Sequence, residues 1–262
     1  MLRTIVGALT AIALTAQAPA TAPVQPQPPS SPTCPEMATA LTRLMGNDAR
    51  LRDWALLSRY RDANDTLRME GNGNRVVFMG DSITDAWPAR FASSFFPGKP
   101  YVGRGISGQT TPQMLIRFRP DVIALKPKAV VILAGTNDIA GNTGPMTDEE
   151  IEGNLQSMAE LAKANGIKVI LASITPTGAY HTAAAAVPQL TLRPMARIKA
   201  INEWMKKYAD KNGHVYLDYF SAMIDSTGVM KTELTTDDLH PNAAGYEIMA
   251  PLAQAAIDKA LK

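Results

Sequence analysis

The chain carries a single cysteine, Cys34, so no intrachain disulfide can brace it. That cysteine sits in Ser-Pro-Thr-Cys-Pro, with no lipobox-like apolar segment directly before it, and reads as a passive surface thiol. Histidine is also scarce, at three residues. There is no His-Glu-x-x-His helix and no Cys-x-x-Cys pair, so a catalytic zinc lacks ligands and no cofactor is expected. Excess charge is small, +2 over 262 residues with acids and bases interleaved, and no basic cluster tracks a phosphate backbone. Nucleic acid is therefore not an expected partner. The strongest apolar run, Thr4–Thr15, falls short of the roughly 20 residues a membrane span needs. A Gly-x-Ser-x-Gly elbow is absent too, which disfavours the α/β-hydrolase class. Nothing in the pattern specifies an oligomeric state.

Hydrophobic residues make up 46% of the chain and charged residues 19%, enough to bury a sizeable core. Met1-Leu2-Arg3, the apolar stretch and Ala18-x-Ala20 have the layout of a secretory signal peptide cut after Ala20. This assigns residues 1–20 to the signal, 21–35 to a proline-rich linker, and the protein to a secreted or periplasmic location. Residues 36–70 read as a helical extension, with Leu51, Trp54, Ala55 and Ser58 at helical spacing. Gly71-Asn-Gly-Asn74 then breaks the chain before the main domain, 71–262.

Short apolar runs at 75–80, 129–134, 167–172 and 214–217, with a weaker one at Tyr101-Val102, alternate with helical stretches near 111–125, 147–165, 193–211 and 243–261. Nearly all-apolar strands between helices predict an α/β fold, a three-layer sandwich with a five-stranded parallel sheet covered on both faces. Ligands bind beyond the carboxyl ends of such strands. Four polar groups fall there: Asp81-Ser82, Gly103 to Gly108, Gly135-Thr-Asn-Asp138 and Asp237 to His240.

Ser82 opens a helix after a strand, where a hydroxyl is either a cap or a nucleophile needing a base. His240, three residues after Asp237, supplies an imidazole beside a carboxylate that can orient it. His181 lies in an irregular Ala-rich segment, and His214 opens a strand. The Asn137 amide and the Gly105 backbone N–H are candidate donors to a developing oxyanion. Asp81, Asp138 and Asp238 read as loop-fixing acceptors of backbone N–H groups, and Trp87 as a packing residue. Gly103-x-Gly105-x-x-Gly108 formally matches a dinucleotide fingerprint but lacks its downstream acid, since Pro127 and Lys128 stand there.

Gly80-Asp81-Ser82, Gly105, Gly135-x-Asn137-Asp138 and Asp237-x-x-His240 together resemble, in order, the four blocks of SGNH (GDSL-like) hydrolases, over about residues 75 to 255. Within that family the chain is similar to the platelet-activating-factor acetylhydrolase-like branch. The resemblance implies a flavodoxin-like fold and a serine esterase with Ser82 as nucleophile, His240 as base and Asp237 as its partner. It implies an oxyanion hole from the Ser82 N–H, Gly105 and Asn137. Ile83 replaces the Leu of the family's name, and Gly103 stands where this branch often has Asn. The expected substrate is a small-molecule or carbohydrate ester, with acetyl as the expected acyl group. Acyl transfer between sugars, a lysophospholipase- or thioesterase-like activity and a non-catalytic binding module are the alternatives. The segment Thr175 to Pro188 is expected to border the cleft. It lacks the long apolar stretches of a lipid lid, which favours short acyl groups. A histidine base requires activity that rises from acid to neutral pH.

Overall fold

The computed structural model describes residues 33–35, 37–39, 41–42, 51–70, 74–181 and 187–262. The expected signal peptide and most of the proline-rich linker lie outside these residues. The chain divides into two units, residues 1–45 and 46–262. In the first, Cys34 is exposed and the described residues from Cys34 to Thr42 are helical.

The second unit is built on parallel strands β1 (Val76–Gly80), β2 (Tyr101–Gly105), β3 (Ala129–Leu133), β4 (Lys168–Ala172) and β5 (Val215–Leu217), in the order β2-β1-β3-β4-β5. Strands β1 and β3 are buried throughout, as runs such as Val-Val-Phe-Met-Gly require of a sheet covered on both faces. Alternate side chains divide between two cores. Val77, Met79, Val130 and Ile132 pack with residues of α3 (Thr111–Asp121), α5 (Asp148–Ala164) and α7 (Met195–Asn212). Val76, Phe78, Val131 and Leu133 pack with residues of α2 (Ser82–Arg90) and α9 (Ala243–Ala260). Each fully buried Val, Leu, Ile or Phe contributes roughly 1.5–3 kcal/mol, and these layers hold the strand ends in one row.

Local chemistry sets the helix boundaries. Helix α5 starts in a capping box between Thr147 and Glu150, and α7 stops at Gly213 in the left-handed conformation. Strand β2 runs three residues beyond the Tyr101-Val102 pair that periodicity picks out. Gly103 and Gly105 weaken the apolar signal there, yet their lack of a side chain lets α2 lie close to the strand. A Cβ on Gly105 would stand 2.0 Å from the Asp85 backbone nitrogen.

The amphipathic helix expected over Leu51–Ser58 is not formed. Residues 53–55 and 57–60 are turns, with Leu51 and Trp54 exposed and Ala55 buried. The Asp53 carboxylate accepts the Leu57 and Ser58 N–H groups, at 2.7 and 3.0 Å, which offers the backbone an alternative to a continuing helix. A helix forms later, α1 (Arg61–Met69).

Candidate active site

Ser82 is the first residue of α2, directly beyond β1 at the point where strand order reverses between β2 and β3. Asp81 caps the helix by accepting the Ile83 N–H at 3.0 Å. From α9, Tyr246 donates its hydroxyl to the Ile83 carbonyl at 2.7 Å, which pins that first turn. The Ser82 N–H is among the helix-start donors that have no intrahelical acceptor.

Opposite it, the loop before α9 presents His240. Its Nε2 lies 2.9 Å from Ser82 Oγ and its Nδ1 2.6 Å from Asp237 Oδ2. An ionised carboxylate can only accept, so the imidazole proton sits on Nδ1 and Nε2 is left to accept from the serine. Asp237 Oδ1 also accepts the backbone N–H groups of His240 and Leu239, at 2.8 and 3.0 Å. Burial pushes the Asp237 carboxyl up, but the hydrogen bonds from His240 and Leu239 outweigh it and hold it below its usual range. The two residues are 39% and 42% exposed at the side chain, so the pair sits at an open rim that water reaches.

Asp238, between them, takes a left-handed φ of +63°. Its carboxylate accepts the N–H groups of Tyr180 and His181, and its carbonyl accepts that of Gly178. His181 Nδ1 adds a contact at 3.0 Å. The described part of the Thr175–Pro188 segment thus does not border the cavity. Its residues 178–181 buttress the loop that carries His240.

Asn137, in the short helix α4 (Thr136–Ile139), is buried at the third strand end. Its Nδ2 donates to the Gln109 carbonyl at 3.0 Å and its Oδ1 accepts from Arg193 at 3.3 Å. That fixes the amide's orientation and leaves one N–H for a third partner. Arg193, which sequence reasoning missed, is itself held by the Thr136 carbonyl and hydroxyl. Arg117 was missed as well. Fully buried in α3, it donates to the carbonyls of Gly80 and Arg104 and to Asp121, clamping the ends of β1 and β2 together. Its signal is one guanidinium on the same buried face as Met114 and Phe118, with Asp121 one turn on.

Gly105 is not brought into the site. The Ile106 N–H donates to the Gly80 carbonyl across the ladder, so the Gly105 N–H, one residue earlier, faces the opposite, outer edge. The Gly105 carbonyl confirms that direction by accepting the Tyr60 hydroxyl on the outer side. Gly105 does not line the cavity beside Ser82, whereas Ser107 and Gly108 do. The Ser107 N–H is taken by Asp85 at 3.2 Å. Gly108, at φ +81°, makes no backbone N–H hydrogen bond among the described residues.

The cavity, about 690 Å³, is also lined by Arg59, Asp85, Ala86, Ala89, Phe91, Arg193 and His240. Trp87 is not a wall; it is buried against Phe78, Phe95 and Tyr246. Asp81, wholly buried, is pushed up to about 6 by loss of solvent, with the Ile83 N–H and His240 opposing the shift. Burial also raises Asp138, whose Oδ1 accepts the Thr111 N–H and hydroxyl. Among the described residues no cluster of three or more His, Cys, Asp or Glu could hold a metal ion.

A doubly wound α/β sheet with a hydroxyl, an imidazole and a carboxylate in hydrogen-bonded series at its switch point defines a class of ester-cleaving folds. The chain belongs to the GDSL-like lipase/acylhydrolase family, whose profile matches residues 78–248, and it is a carboxylic ester hydrolase of the SGNH type. It is similar to a solved GDSL-like lipase of Bacteroides thetaiotaomicron, at 41% identity, TM-score 0.68, covering 79% of this chain and 99% of that one. An acetylxylan esterase of Geobacillus stearothermophilus is 28% identical over 214 residues, 69% of this chain and 92% of that protein. A shorter stretch of 84 residues is 39% identical to an uncharacterized lipoprotein of Bacillus subtilis, covering 29% of this chain and 35% of that protein.

Proposed function

We propose that the protein removes short acyl groups, acetyl above all, from carbohydrate esters, with Ser82 as nucleophile. The observation that carries this is the series Ser82 Oγ, His240 and Asp237, at 2.9 and 2.6 Å. Ser82 Oγ passes its proton to His240 Nε2 as it attacks the ester carbonyl, and Asp237 stabilises the imidazolium that forms. His240 returns the proton to the leaving alcohol. A water then repeats the attack on the acyl-serine, with His240 as base, and releases the acid. The oxyanion of each tetrahedral intermediate is met by the N–H of Ser82, the free N–H of the Asn137 amide and the N–H of Gly108, which takes the role expected of Gly105.

Acyl length is limited by what lies beside the serine. Ala86, Ala89 and Phe91 offer a short apolar wall, and the charged Arg59, Asp85 and Arg193 surround it. Such a lining desolvates poorly against a long chain, which disfavours a lipid acylhydrolase. The acetylxylan esterase among the relatives supports an acetylated carbohydrate. The exposed rim at His240 supports water, rather than a second sugar, as acyl acceptor. The assignment of residues 1–20 as a cleaved export signal, 21–35 as linker and 36–70 as an extension of the hydrolase domain is part of this reading. Similarity to a lipoprotein is in keeping with export.

The test is turnover of para-nitrophenyl acetate and octanoate by the wild type and Ser82→Ala. Acetate should be the faster ester, and the variant should lose about 10,000-fold or more in kcat. A Ser82→Ala protein that retains the wild-type rate refutes the nucleophile; faster octanoate refutes the acyl preference.

A further inference from the structure

A second cavity of about 490 Å³ adjoins the first, and Ser107 and Gly108 line both. Its far side is made by Asp53, Trp54 and Leu56, which precede the family-matched residues 78–248. Gln109, Gln113, Asn142 and Thr143 complete it. We propose that this groove is a carbohydrate subsite, holding the sugar next to the one that carries the ester, with Trp54 as its aromatic platform. The inference rests on the carbohydrate-ester reading above and names where the rest of the chain of sugars lies.

Three observations carry it. Trp54 is 40% exposed on the groove, where a large indole has no core to join and loses water only when a ligand covers it. The surface under it is held rather than loose. Gln113 donates to the Trp54 carbonyl and Gln109 to the Ala55 carbonyl, each at 2.8 Å, while Asp53 takes two N–H groups of the same turn. A platform fixed in this way costs little ordering on binding.

The third is the chemistry of the wall opposite. Asn142 uses one amide N–H on the Gly108 carbonyl and keeps the rest of its amide for a ligand. Thr143 shares its hydroxyl with Thr110 at 3.1 Å. Among the described residues that line the groove the one charged group is the Asp53 carboxylate, which repels an anion and is already taken by the Leu57 and Ser58 N–H groups, and the amides and hydroxyl give an alkyl chain no apolar channel. An uncharged polyol ring, apolar on one face and hydroxylated at its edge, meets both walls at once. A sugar here sits one Ser107-Gly108 step from Ser82, which suits a leaving alcohol that is part of an oligosaccharide.

The experiment compares kcat/KM for acetylated xylo-oligosaccharides of increasing length with that for para-nitrophenyl acetate, in the wild type, Trp54→Ala and Trp54→Phe. The wild type should gain from the second sugar onward. Trp54→Ala should lose about tenfold of kcat/KM on the longer substrates, mostly through KM, the size of one well-packed aromatic face. Its rate on the aryl acetate should stay within about twofold, and Trp54→Phe should recover most of the loss. Equal losses on both substrates, or none on the oligosaccharides despite a wild-type gain with length, overturn the subsite and leave the carbohydrate-ester reading standing. A wild type that shows no gain with length and deacetylates no oligosaccharide overturns both. Thermal melting of each variant guards against misfolding, and should Trp54→Ala fail to fold, Trp54→Leu decides, since it keeps apolar bulk without a ring face: a loss confined to the oligosaccharides supports the platform, and no loss overturns it.

Discussion

The sheet rim and the segment from Leu51 to Glu70 both frame the cleft, but they are held by different forces. The rim stands on two apolar cores that sandwich β1 and β3. The N-terminal segment is attached by polar bonds from side chains to backbone carbonyls and to other side chains. Tyr60 donates to the Gly105 carbonyl, Asn64 bonds Asp121 and Arg104, and Gln109 and Gln113 reach the carbonyls of Ala55 and Trp54. Buried apolar area tolerates a changed side chain of similar volume, whereas each polar tie depends on one atom. Chemistry therefore resides where packing is redundant, and the segment supplies walls, Arg59 to the first cavity and Trp54 to the second.

The largest effect that separates the two regions lies on the rim. In the proposed mechanism Asn137 is an oxyanion donor, so Asn137→Ala should lower kcat by about 100- to 1,000-fold. KM should change little, since the lost bond forms mainly in the transition state. A Gly105→Ala protein offers the contrast. Its methyl would collide with the α2 backbone, so its activity should fall with its folded fraction rather than through kcat. A Gly105→Ala protein as stable as the wild type would mean that the helix does not press on this strand as closely as 2.0 Å implies.

Next comes Asp81, the buried acid that precedes Ser82. Asp81 is held near 6 against an ordinary value of 3.8. Between those values the native state binds more protons than the unfolded chain, so this group's contribution to stability falls as pH rises from about 4 to 7. A shift of that size corresponds to about 3 kcal/mol. Asp81→Asn keeps an acceptor for the Ile83 N–H but cannot ionise. Its stability relative to the wild type, read from urea denaturation, should therefore climb over that window and level off above it. Parallel curves from pH 4 to 8 would mean that Asp81 is not the buried charge it is taken for here.

Most of the rim was legible in sequence because burial on both faces writes itself as unbroken apolar runs, and because Asp237 and His240 are three residues apart. The misses share a cause. A motif singles out Gly105 by its position in the chain, but which way an N–H points depends on strand register, and register is set by β1, some twenty-five residues earlier. Arg193 acts on Asn137 from a turn with no periodicity of its own. Leu51, Trp54 and Ala55 have helical spacing, yet Asp53 competes for the backbone, and spacing alone does not weigh a side chain against a helix bond.

The smallest effect tests whether the N-terminal segment and the rim are one body. Tyr60 bridges them: its hydroxyl donates to Gly105, and its ring lies 4.6 Å from the Arg104 guanidinium. Burial, with Asp85 nearby, raises its pKa, so it stays a neutral donor at working pH. Tyr60→Phe keeps the ring and the cation contact and leaves one edge carbonyl without its partner. That should cost about 1 kcal/mol, a fall of roughly 2–4 °C in Tm for a unit of this size. Ester turnover on a small aryl acetate should stay unchanged, because the Ser82, His240 and Asp237 series does not pass through Tyr60. A Tyr60→Phe protein that melts with the wild type but loses aryl acetate turnover would reverse the comparison, making the segment part of the chemistry rather than its wall.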